Sequence, residues 1–141
     1  MLMTVACVGA FNDERETHYA NTDAARADGG FTRGWIPEIV PDDASNIWER
    51  HDVSSNETWA CFTTAADAAP VRERIRGLGG RPYLGGMGRS PREHLRVRPW
   101  WPETASAEAY EIVEHEGSLL LVGIDPANRK VCFHRTSTGG A

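Results

Sequence analysis

The residues with the most chemical potential lie close together: His51, Asp52 and Asn56. If the chain reverses between two strands there, an imidazole, a carboxylate and an amide gather at one end of a sheet. That is the equipment of a small hydrolase-like enzyme with His51 as general base and Asp52 as its partner. The same residues have a structural account. Asp and Asn shape turns by bonding their own backbone, and Glu49, one pleat away on the same side of a strand, can orient His51. No nucleophile, metal set or oxyanion donor is recognisable beside them, so the site is incomplete as a catalyst. The leading reading is structural, with His51 and Asp52 kept as catalytic candidates.

Other chemistry is sparse. Cys7, Cys61 and Cys132 include no C-x-x-C pair and no histidine at zinc-ligand spacing. Cys61 and Cys132 fall in apolar, strand-like runs and read as small buried hydrophobes, or as a disulfide if their strands are neighbours. His115, Cys132 and His134 can meet on adjacent strands, but alternation sets Cys132 and His134 opposite Val131 and Phe133, towards solvent. No metal and no cofactor is expected. The six glycines from Gly77 to Gly88 match neither a P-loop nor a dinucleotide fingerprint, and there is no G-x-S-x-G elbow.

Charge is unevenly distributed. The chain has fourteen arginines and a single lysine, Lys130, with a formal net charge of -5. Residues 72–98 hold eight arginines against Glu73 and Glu93, a local +6, which leaves -11 for the rest. Arg72, Arg74 and Arg76 are expected along the wet side of a helix. Asn56, Arg81, Arg89, Arg92, Arg96 and Arg98 are expected to form a surface for a protein or small-molecule partner. An acidic pI near 5.5 and the absence of any recognisable motif speak against nucleic acid.

The elements that must position these groups follow from periodicity. At 141 residues, 40% hydrophobic and 25% charged, the chain is sized for one folded domain and has no apolar run of the ~18 residues a membrane helix needs. Asn21 or Thr22 is expected to cap a short helix that Gly29-Gly30 stops, and Trp35 and Ile36 to anchor an extended segment bounded by Pro37 and Pro41. Period-two alternation over 45–52 and 57–63 predicts a hairpin. Asp67 is expected to cap a helix with Val71, Ile75 and Leu78 inward, and a long loop follows, with a short strand at 94–98. Trp100 and Trp101, boxed by prolines, are expected to be buried. A meander over 110–115, 118–124 and 130–135 completes an α+β domain of about five antiparallel strands and two helices, the longer packed on one face. Residues 19–135 form this single domain, 1–18 read as an apolar stump and acidic linker, and 136–141 as a disordered tail.

Several of these residues together suggest a family. An Ala-rich helix, Gly29-Gly30-Phe31, Gly34-Trp35-Ile36-Pro37, Pro41, Ala44, Ile47, Glu49, His51-Asp52, Asn56, Trp59 and Phe62 resemble the head domain of the YbbD type, found in small bacterial proteins that often carry lipoprotein signals. Trp100-Trp101-Pro102 and the final meander are also similar to its members. Where the family tends to run apolar, Asp, Thr, Asn after His-Asp, this chain has Val53, Ser54, Ser55 and Asn56, so an acidic side chain is absent there. The resemblance implies a fold and an envelope location, and no activity.

Val5-Ala6-Cys7 fits that location, since a small residue precedes the lipidated cysteine in a bacterial lipoprotein signal, here Cys7. The basic start of a signal is missing and only six residues precede Cys7, as expected of a start codon placed too far downstream. Leu2, Val5 and Val8 in a short first strand are the alternative. As written the chain stays in the cytoplasm; with an upstream signal it is periplasmic or membrane-anchored. The functional expectation is a non-enzymatic binding or protein-interaction module. The alternatives are the His51–Asp52 hydrolase and a cytoplasmic, immunity-like protein that neutralises a partner.

Overall fold

The computed structural model describes residues 14–84, 100–102, 108–114 and 117–136. Seven antiparallel strands form one sheet: β1 (Glu14–Asn21), β2 (Ser45–Asp52), β3 (Thr58–Thr63), β4 (Arg81–Pro82), β5 (Glu108–Val113), β6 (Leu119–Asp125) and β7 (Lys130–Arg135). Their order is β1-β2-β3-β7-β6-β5-β4, so the hairpin β2-β3 joins the C-terminal meander along β3 and β7 at the middle of the sheet. The helices are α1 (Thr22–Ala27) and α2 (Ala69–Gly77). The α+β class is as read from the sequence; the described residues hold seven strands rather than about five.

Both additional strands lie at edges. The acidic segment expected to be a linker is β1, paired with β2 from Glu14↔Asp52 to Asn21↔Ser45. Of its side chains only Tyr19 is buried in the core, so the alternation that advertises a half-buried strand is missing from its sequence. β4 is two residues long and pairs Arg81 with Glu111.

Local signals explain the helices. Asn21 Oδ1 accepts from the Ala24 backbone N–H at 2.9 Å. At the other end Gly29, at φ +80°, donates to Arg26 O and Gly30 to Ala25 O, the paired bonds of a Schellman stop. Helix α2 ends in the same way: Gly79, at φ +79°, donates to Arg76 O and Gly80 to Ile75 O. Asp67 accepts from the Ala69 N–H at 2.9 Å, but the N-cap position itself is Ala68. Leu78, expected inward with Val71 and Ile75, is 48% exposed because it is the residue at which the chain leaves the helix.

One face of the sheet carries Ile47, Ala60, Phe62, Val122, Val131 and Phe133, all buried under α2, α1 and the segment holding Ile36, Ile39 and Val40. The opposite face is also covered. Trp59, Cys61 and Cys132 are buried there with Trp100 and Trp101. Cys132 was expected to face solvent; it is 4% exposed because the two indoles close over the second face. His134, expected beside it in solvent, is partly buried and stacks on Trp59 at 5.1 Å between ring centroids. Since β3 and β7 are neighbours with Cys61 directly opposite Cys132, the two thiols are joined as a disulfide.

Candidate functional site

The sequence Glu49-Arg50-His51-Asp52 places four consecutive ionisable residues in one strand, and all four are buried. Alternation divides them between the faces. Glu49 and His51 point into the main core, where His51 Nδ1 lies 2.6 Å from Glu49 Oε1. Trp35 lies parallel to the His51 ring with centroids 3.6 Å apart, closing it from above. Glu49 Oε2 and His51 Nε2 make no hydrogen bond to any described residue.

Burial sets the protonation of this pair. It pushes the Glu49 carboxyl up to about 8, with the nearby Glu16 charge adding to the effect. It also pulls the His51 imidazole below its ordinary value, helped by Arg15 and Arg33 and opposed by Asp52. Both directions favour a neutral pair at neutral pH, with the proton held between Glu49 and His51. Such a pair is a satisfied core contact on its inner side. A general base needs a ring nitrogen within reach of a substrate, and His51 is only 2% exposed.

Asp52 has a different task. Its Oδ1 accepts from Ser54 N at 2.9 Å, Ser54 Oγ at 2.8 Å and Ser55 N at 3.2 Å. Burial alone would raise its pKa, but these bonds outweigh it and hold the carboxyl below the usual range. The turn closes with Asn56 N–H donating to Asp52 O at 2.8 Å and Asp52 N–H to Glu57 O at 2.9 Å. Asn56 stands at φ +62°, a left-handed conformation that Asn tolerates better than most residues. His51, Asp52 and Asn56 are therefore adjacent as the sequence suggested, but Glu49 accounts for His51, the Ser54 and Ser55 donors for Asp52, and the left-handed turn conformation for Asn56.

The described arginines are held within the molecule. Arg72 makes a two-pronged pair with Glu108, at 2.5 and 2.9 Å. Arg74 donates to the Glu38 and Val40 carbonyls, and Arg50 Nε to Glu14 Oε2 at 2.8 Å. Arg81, expected on a partner surface, pairs with Glu111 on the neighbouring strand at 2.6 Å while its side chain stays 69% exposed. Arg89, Arg92, Arg96 and Arg98 lie outside the described residues, as do Cys7, His115, the 94–98 strand and residues 137–141 of the tail. Cys132 is bound to Cys61 and does not offer a thiolate to a metal. Among the described residues no group of three or more His, Cys, Asp or Glu could hold a metal ion, and no helix is long and apolar enough to cross a membrane.

Sequence reasoning did not find the cavity on the indole-covered face. Its volume is about 420 Å³, and its lining includes Glu16, Asn46, Trp48, Trp100, Asn128 and Lys130. Three features build it. An extra residue in β2 between Ser45 and Trp48, with Asn46 at φ +50°, interrupts the ladder to β3, which resumes at Ser45↔Thr63. His18 bonds Asn46 Oδ1 at 2.8 Å and stacks on Trp48 at 4.2 Å, which fixes both. Trp100 then lies nearly parallel to Trp48, 6.2 Å away and 6° inclined, with its Nε1–H donating to Glu16 Oε1 at 3.0 Å. A second cavity of about 420 Å³ lies at Phe31, Ile36, Leu78 and Ile112. Neither of these two is lined by His51 or Asp52.

Residues 13–63 match the family model of the YbbD head domain, the resemblance that the residues between Tyr19 and Phe62 suggested. No curated protein and no solved structure matches the chain. The matched span covers β1, α1, β2 and β3, and therefore the His18–Trp48 stack, the Glu49–His51 pair and the Asp52 turn.

Proposed function

We propose that this chain is a non-enzymatic binding module whose ligand site is the indole-walled cavity, and that it works in an oxidising compartment such as the bacterial envelope. The observation that carries the reading is the cavity itself. It combines two ordered aromatic walls with a few polar groups at about 420 Å³, and this is the usual make-up of a small-ligand site. The disulfide between Cys61 and Cys132 supports the compartment, because cytoplasmic thiols are generally kept reduced. The lipoprotein reading of Cys7 agrees with it, and the immunity-like cytoplasmic alternative does not. The hydrolase alternative is weakened by the enclosure of His51 under Trp35.

The test is a small-molecule screen read by tryptophan fluorescence, with hydrolysis of p-nitrophenyl acetate measured on the same samples. Saturable quenching that is lost in Trp48→Leu, with no hydrolysis above buffer, is the expected result. Hydrolysis that disappears in His51→Gln while circular dichroism is unchanged would overturn the reading in favour of an enzyme.

A further inference from the structure

The chain's only lysine stands in that cavity. Lys130 pairs with Thr63 across β3-β7 and with Asp125 across β6-β7, and Thr63 in turn pairs with Ser45. The four residues thus form one row across the sheet, directly beside the bulge at Asn46, which also lines the cavity. Lys130 is partly buried. Its ammonium has no hydrogen bond and no ion pair among the described residues, whereas Arg50, Arg72, Arg81 and Arg135 are each matched to a carboxylate. The nearest acid in register, Asp125, accepts from the Asn128 side chain at 2.8 Å. Burial draws the Lys130 pKa down, and the Asp125 charge opposes this. A partly buried cation that no carboxylate of the described residues bonds, in a cavity also lined by Trp48 and Trp100, is available to an anion that enters there.

Resting on the binding reading above, we propose that the cavity takes a small organic carboxylate with a planar ring, the ring against Trp48 and Trp100 and the carboxylate on the Lys130 ammonium. The ring satisfies the indole walls through stacking and apolar burial. The carboxylate supplies the charge-assisted bonds that Lys130 lacks. Glu16 Oε1 accepts from the Trp100 indole N–H, which holds that wall in place.

The uniqueness of Lys130 makes the test direct. Reductive methylation with ¹³C-formaldehyde gives a dimethyl-lysine signal at this one lysine while keeping its charge. The probes are 2-naphthoate and the uncharged 2-naphthamide, titrated against the oxidised full chain. The proposal expects naphthoate to shift the Lys130 signal and to bind at least about tenfold more tightly than naphthamide, the fold-change corresponding to one charge-assisted bond. Lys130→Met should remove that preference and Lys130→Arg should keep it, with both variants folded by circular dichroism.

Equal affinity for the two probes, or a preference that survives in Lys130→Met, would overturn the anion assignment and leave the binding-module reading standing. An unshifted Lys130 signal with no binding of naphthoate would also overturn the assignment. The module reading fails separately, if Trp48→Leu leaves every ligand found in the fluorescence screen bound as before.

Discussion

The Cys61→Ala/Cys132→Ala double variant is expected to be about 4 kcal/mol less stable than the oxidised protein, the loop-closure value for a cross-link of this span. The two cysteines are 71 residues apart in sequence, so the bond constrains more than half of the unfolded chain. Their position adds a structural reason. β3 ends the N-terminal hairpin and β7 belongs to the C-terminal meander, and β3-β7 is the seam between them. Without the bond, strand pairing and the Trp59–His134 stack still join the two halves, so the variant should fold and should unfold at lower denaturant. Urea unfolding of wild type with and without reductant, beside the double variant, checks this. Reduction and substitution should give similar losses. A double variant within about 1 kcal/mol of oxidised wild type would contradict the chain-entropy account.

The second large effect is a loss of stability on the alkaline side that originates at Glu49. Its carboxyl ionises near 4.5 when unfolded and near 8 when folded. Between those values the native state holds a proton that the unfolded state has released, so stability falls as pH rises through the interval. The full contribution is present below about 4.5 and is gone above about 8, a change of at most several kcal/mol. His51 acts in the opposite direction. Its folded value is depressed, so its contribution is present above 6.5 and is lost as pH falls through the folded value. Glu49→Gln retains an amide N–H for His51 Nδ1 and removes the ionisation. Denaturant midpoints should fall in wild type chiefly between about pH 6.5 and pH 8, where Glu49 acts without opposition from His51, and much less in Glu49→Gln. Parallel profiles for the two proteins would mean that Glu49 is ionised in the folded state.

These results concern groups that were partly legible from the sequence. The Asn21 cap, the Gly29-Gly30 stop, the hairpin over 45–63, the meander and the burial of Trp100 and Trp101 each have a local signal, and each is present. Glu49 as the residue that orients His51 also follows from pleat alternation. What escaped depends on distant partners. β1 has an acidic, polar sequence because it is an edge strand with one core side chain, and Leu78 fits a helical stripe whose helix ends at that position. Cys132 and His134 read as solvent-facing because alternation identifies two faces of a strand without saying whether the second is covered. The cavity draws on β1, the β2 bulge, Trp100 and the β6-β7 turn, so no contiguous stretch encodes it.

In the proposed reading, the polar groups of the His51–Asn56 region build the fold and the indole-covered face is the one that binds. Urea unfolding of His51→Ala, Asp52→Ala and Lys130→Met in one series tests that division most directly. His51→Ala removes the Trp35 stack and leaves the buried Glu49 carboxyl without its partner, and Asp52→Ala removes three turn bonds. Losses of about 3 kcal/mol and about 1–2 kcal/mol are predicted for these two, with Lys130→Met within about 0.5 kcal/mol of wild type. His51→Ala and Asp52→Ala proteins as stable as wild type would contradict the account, because residues that the fold can spare would then need a functional reason to be there.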